Sequence, residues 1–138
     1  MITIKKQEIV KLEDVLHLYQ AVGWTNYTHQ PEMLEQALSH SLVIYLALDG
    51  DAVVGLIRLV GDGFSSVFVQ DLIVLPSYQR QGIGSALMKE ALEYYKDAYQ
   101  VQLVTEETEK NLGFYRSMGF EILSTYNCIG MTWMNREK

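Results

Sequence analysis

The sequence predicts an α/β (α+β) fold, a central mixed sheet flanked by helices, and three observations point to it. Short apolar runs of strand type alternate along the chain with segments of helical spacing. Two of those runs, Leu42–Leu48 and Ala52–Val60, are joined by Asp49-Gly50-Asp51, a hairpin signal. Another run ends in a glycine-rich junction, Gln79-Arg80-Gln81-Gly82-Ile83-Gly84, which opens directly into a helical pattern. That junction falls after the central strand of the expected sheet.

In chain order, Ile2 to Lys6 alternates and reads as a first strand. Leu12, Val15, Leu16, Tyr19 and Val22 recur at helical spacing, and Gly23 closes that helix because it turns left-handed at no steric cost. A loop, Trp24 to Gln30, precedes Pro31, whose fixed φ suits the first turn of a helix reaching Ser41. The hairpin pair follows, then a turn at Gly61-Asp62-Gly63 and a strand from Ser66 to Val74. Leu87, Met88, Ala91, Leu92 and Tyr95 give one broad apolar face to a helix from Ile83 to Asp97. Val101 to Val104 reads as a short strand and Glu109 to Met118 as a helix. Glu121 to Thr125 and Ile129 to Met134 are expected to end the chain as two strands. With two prolines, no repeat and no low-complexity tract, residues 1–138 are expected to form one domain.

Composition narrows the function classes. Hydrophobic residues make up 49% and charged residues 20%, a balance that supports a packed core. A net charge of −6 disfavours a nucleic-acid backbone as partner, because such binders carry basic patches. The single Cys128 excludes an internal disulfide and a cysteine-based zinc site. His17, His29 and His40 lack the spacing of a metal pair, so no metal is expected. Charges come too early in Met-Ile-Thr-Ile-Lys-Lys for a signal peptide. No apolar run approaches the roughly 20 residues of a membrane span. The expectation is a cytoplasmic protein with neither membrane nor nucleic-acid partner.

The glycine junction bears the chemistry. A helix leaves its first four N–H groups unpaired, and its N-terminus carries about half a positive charge. Glycines at 82 and 84 remove side chains that would keep a ligand from those amides, which makes an anion cradle, and Arg80 adds a charge beside it. Neither nucleotide fingerprint fits. The P-loop string G-x-x-x-x-G-K-[ST] is absent, and G-x-G-x-x-G would need glycine where Leu87 stands. The alternative is a plain tight turn, which paired glycines serve less well than Ser, Thr, Asp or Asn.

The pattern Q-x-x-G-x-G after strand-Pro-x-Tyr resembles the acetyl-CoA-binding motif of the GNAT superfamily of acyl-CoA-dependent N-acyltransferases. The resemblance implies the fold of that family and places the pantetheine arm of the cofactor along Leu72, Ile73 and Val74. The pyrophosphate would then meet the loop from Gln79 through Arg80, Gln81, Gly82, Ile83 and Gly84 to Ser85. Asn111-Leu-Gly-Phe-Tyr-Arg-Ser-Met-Gly-Phe120 resembles the family's last helix, whose tyrosine, here Tyr115, protonates the departing thiolate. Taken alone, Tyr115 would read as a core aromatic beside Phe114 and Met118; the glycine junction about thirty residues upstream favours the catalytic reading. Similarity is closest to small bacterial members akin to arylalkylamine (serotonin) N-acetyltransferases, through Ala21–Trp24, Gln70–Val74 and Ile129–Trp133. Many members carry asparagine where this chain has Thr108; Asn111 is either the substitute for that cofactor contact or a solvated surface residue.

The resemblance implies acetyl transfer from acetyl-CoA to a primary amine of a small molecule, by direct attack in a ternary complex and without a metal. A lysine or N-terminal acetyltransferase and a non-catalytic acyl-CoA sensor are the alternatives; the sequence leaves the oligomer open, a homodimer being one option. Asp71, a carboxylate in an apolar strand, has two readings: it deprotonates or attracts the amine, or it bonds to the fold. Trp24 and Tyr27 have two as well, lining the acceptor pocket or stapling their loop to the core. Glu106, Glu107 and Glu109 are expected to complement the positive end of their helix. Cys128 is expected to be an inert core thiol.

Overall fold

The computed structural model describes residues 1–134. These residues form two compact units, Met1–Val104 and a second beginning at Thr105. The first holds a five-stranded sheet in the order β1 (Ile2–Gln7), β2 (Val43–Asp49), β3 (Ala52–Gly61), β4 (Val67–Val74) and β5 (Val101–Leu103). The first four strands pair antiparallel, whereas β4 and β5 run parallel, so the sheet is mixed as expected. Helices α1 (Leu12–Ala21), α2 (Thr25–Thr28) and α3 (Pro31–Ser39) lie between β1 and β2, and α4 (Ile83–Tyr94) crosses from β4 to β5. The segment from Trp24 to Gln30, expected as loop, contains α2.

Two layers of side chains cover the sheet. Val15, Leu18 and Tyr19 of α1 and Leu34 and Leu38 of α3 pack with Ile44, Leu46, Leu56 and Ile73 in one buried cluster. Consecutive strand residues face opposite sides, so Gly55 faces away from Leu56 and its cluster. A Cβ at Gly55 would stand 3.3 Å from Cδ1 of Leu87 and 3.1 Å from the carbonyl of Ile73. Glycine is therefore what lets α4 lie close on that second face. Ile83, Leu87, Met88 and Ala91 of α4 are all buried.

The second unit contains α5 (Glu109–Ser117) and a 3-10 turn at Leu123–Tyr126. Here the structure corrects the expectation of two closing strands. Leu123–Tyr126 winds into the turn, and Asn127 ends it in the left-handed region at φ 60°. A strand needs a partner for its backbone groups, and no strand pairs with residues 121–134 among the described residues. Ile129, Met131 and Trp133 are exposed, and so is Cys128, which overturns its expected place in the core.

Candidate active site

The cradle begins where β4 ends. Pro76–Tyr78 forms a 3-10 turn, held to the β2–β3 hairpin by the Tyr78 hydroxyl, which donates to Asp49 at 2.7 Å. Gln79 folds back and donates its Nε2 to the Val74 carbonyl at 3.0 Å, so its side chain fixes the turn. Arg80 then takes φ 65° and Gly82 φ 79°. A non-glycine residue in the left-handed region is strained, and such strain concentrates at functional sites. Alternation of this kind turns successive amides toward one concave side, an anion-binding shape. The α4 ladder begins with the Ala86 N–H on the Gly82 carbonyl at 3.0 Å. The amides of Ile83, Gly84 and Ser85 are thus left to an acceptor from outside the helix. A Cβ on Gly82 would meet nothing within 4 Å, so the space above the loop is open.

The approach to the cradle is an open strand edge. β4 has eight residues, but only Val67, Phe68 and Val69 pair with β5. From Gln70 to Val74, the backbone edge on that side has no strand beside it among the described residues. This edge includes Leu72, Ile73 and Val74, the stretch expected to meet the pantetheine arm. An extended amide-bearing chain laid there gains the hydrogen bonds of an added strand.

On the face carrying α1, a polar cluster is buried in apolar surroundings. Arg58 and Asp71 are register partners across β3 and β4, with side chains 5% and 2% exposed. Arg58 Nε donates to Asp71 Oδ2 at 2.7 Å, and the Tyr19 and Tyr27 hydroxyls donate to Oδ2 and Oδ1 at 2.8 and 3.0 Å. Burial, with Asp71 alongside, raises the pKa of both phenols. Burial alone would lower Arg58, but the neighbouring carboxylate raises it. Of the two readings open for Asp71, the geometry gives it the bonded one. Both of its oxygens are engaged, and three donors depend on it.

Tyr27 is likewise a staple, at 8% exposure and in edge contact with Tyr19 at 5.1 Å. Trp24, half-buried, packs its ring 6.1 Å from Tyr19. The sequence reading missed Arg58. Its signal was a lone cation inside the apolar run Leu56-Ile57-Arg58-Leu59-Val60, matched by a lone acid in another such run.

In the second unit, Thr108 caps α5, accepting from the Asn111 N–H at 3.1 Å. Asn111 Nδ2 donates to the Glu106 carbonyl at 3.0 Å, so this side chain ties down the start of the helix. Tyr115 is half-buried, with Phe114 and Phe120 packed edge-on at 5.0 and 6.0 Å. Burial raises its pKa, and the neighbouring Thr105 side chain opposes that. Its hydroxyl thus keeps its proton throughout the neutral range. Glu109 lies in the first turn of α5, as expected. Among the described residues, no group of three or more His, Cys, Asp or Glu is placed to hold a metal ion.

Comparison with known proteins agrees with this architecture. A family model described as an acetyltransferase (GNAT) domain matches residues 40–122. A GNAT-family acetyltransferase from Streptococcus pneumoniae TIGR4 is 88% identical in sequence and superposes with a TM-score of 0.91 over 99% of each chain. The N-acetyltransferase PaiA of Thermoplasma acidophilum, solved in complex with coenzyme A, is 19% identical. It shares the fold at a TM-score of 0.67 over 87% of this chain and 91% of that one. Serotonin N-acetyltransferase 2, chloroplastic, of rice is 32% identical over 95 residues, 66% of this chain. The match spans only 48% of the rice protein.

Proposed function

This chain belongs to the GNAT acetyltransferase family, and we propose that it transfers an acetyl group from acetyl-CoA to the primary amine of a small molecule. The observation that carries the reading is the open edge of β4, Gln70–Val74, running straight into the amide cradle at the start of α4. The residues fit the cofactor at both ends: an unpaired strand edge for the pantetheine amides, and three helix-start amides with Arg80 for the pyrophosphate. Leu72, Ile73 and Val74 would hold the arm through backbone groups. Arg80, Gln81, Gly82, Ile83, Gly84 and Ser85 would hold the phosphates, with Gln79 shaping the turn. Acetyl-CoA supplies the activated thioester. Asn111 would add to the cofactor's hold through its remaining carboxamide oxygen.

The chain's own chemistry then lies in protons and placement. Tyr115, protonated at neutral pH, would give its hydroxyl proton to the sulfur as the C–S bond breaks. The proton lost by the attacking nitrogen as the N–C bond forms would restore the phenol. Transfer is direct, because no side chain of the described residues is set up as an activated nucleophile. Trp24 and the Tyr27 staple form the acceptor side.

The test is release of free thiol from acetyl-CoA in the presence of tryptamine, spermidine or glucosamine. Release that no amine in the panel stimulates would contradict the reading. Gly82→Val tests the cradle separately. A β-branched side chain at φ 79° is strained, so Gly82→Val should shift the backbone that aims the amides. Calorimetry should show CoA affinity falling at least about tenfold, the worth of one or two lost hydrogen bonds to a charged group. Affinity equal to the parent's, in a folded variant, would remove the phosphates from this loop.

A further inference from the structure

Building on that reading, we infer that Gln70 binds the acceptor amine, holding one of its N–H groups with a carboxamide oxygen whose direction is set from beneath by the buried ion pair. The backbone singles this residue out first. Arg58 pairs with Asp71 and Leu59 with Val69, so Gln70 is the extra residue of a β-bulge with no partner on β3. On the other side, β5 pairing stops at Val69. Gln70 is therefore exposed at the head of the open edge.

Consecutive residues of a regular strand face opposite ways, yet Gln70 and Asp71 both reach the Tyr27 hydroxyl, at 3.3 and 3.0 Å. A bulge re-aims side chains in this way.

The protons then fix the carboxamide. Asp71, ion-paired with Arg58, is an acceptor only. Tyr27 has one hydroxyl proton, and it goes to Asp71 Oδ1. Toward every other neighbour the Tyr27 oxygen accepts, and it does so from Arg58 Nη2 at 3.2 Å and from Gln70 Nε2. An amide flip would set the Gln70 oxygen against an oxygen with no proton left to give. The network therefore turns Nε2 inward and leaves Oε1 as the outward acceptor.

A neutral acceptor suits this chemistry. A carboxylate in that place would favour the ammonium form, which has no lone pair to attack with. A carboxamide oxygen orients an amine N–H without adding a charge that holds the extra proton.

The test uses the whole chain at saturating acetyl-CoA, with the best of tryptamine, spermidine and glucosamine as acceptor. Gln70 is exposed, so Gln70→Leu should fold, raise the KM for the amine about tenfold and leave CoA affinity unchanged, the size of one hydrogen bond. Tyr27→Phe removes the oxygen that orients Gln70 and should raise the same KM. The double variant should be no worse than Gln70→Leu alone, because both changes break one relay. A KM within twofold of the parent's in Gln70→Leu, or additive effects in the double variant, would overturn the assignment. If the parent acetylates none of the three amines, the proposed function fails first and the inference falls with it.

Discussion

Asp71→Ala should cost about 3–5 kcal/mol of unfolding free energy, the usual penalty for leaving a buried charge without its partner. The cause is specific. Arg58 would be stranded beneath the sheet surface with its side chain 5% exposed, and the Tyr19 and Tyr27 hydroxyls would lose their acceptor. Arg58→Ala should destabilise by a similar amount, since it leaves the carboxylate alone in the same place. Replacing both together, Arg58→Met with Asp71→Leu, should recover part of the loss, because no uncompensated charge then remains. Urea unfolding of the parent and the three variants compares these stabilities directly. If Asp71→Ala unfolded within about 1 kcal/mol of the parent, the ion pair would not anchor the fold. Asp71 would then return as a candidate for direct work on the amine.

Tyr115→Phe should lower kcat by about 100-fold while leaving acetyl-CoA binding nearly unchanged, at the lower end of general acid catalysis because a thiol leaves readily. The substitution keeps the ring and its edge contacts with Phe114 and Phe120, so stability should move little. Only the proton donor is lost. Burial holds the phenol above its ordinary value, so the parent's acid form persists through neutral pH and is lost only above about pH 10. A kcat profile with no alkaline limb from Tyr115 below that pH is expected. Steady-state kinetics with the best amine decide the matter, provided chemistry limits the rate. A kcat within twofold of the parent's corresponds to under about 0.5 kcal/mol of barrier. That result would leave Tyr115 a packing residue.

Sequence alone determined the features that local chemistry decides. Asp49-Gly50-Asp51 made the hairpin of β2 and β3, Pro31 began α3, and Gly82 and Gly84 marked the cradle at the start of α4. Each depends on the φ that a residue can adopt or on an apolar period within one segment, and both can be read without knowing the neighbours. Tertiary structure decided what depends on pairing. Arg58 and Asp71 are thirteen residues apart, and only the β3–β4 register makes them partners. The bulge that brings Gln70 over Tyr27, and the early end of β5 that opens the β4 edge, are likewise properties of two strands together. The same reason explains the misread C-terminal segment. Alternation of apolar residues in Ile129–Trp133 satisfies a strand's side-chain pattern, but a strand forms only where a second strand meets its backbone N–H and C=O groups.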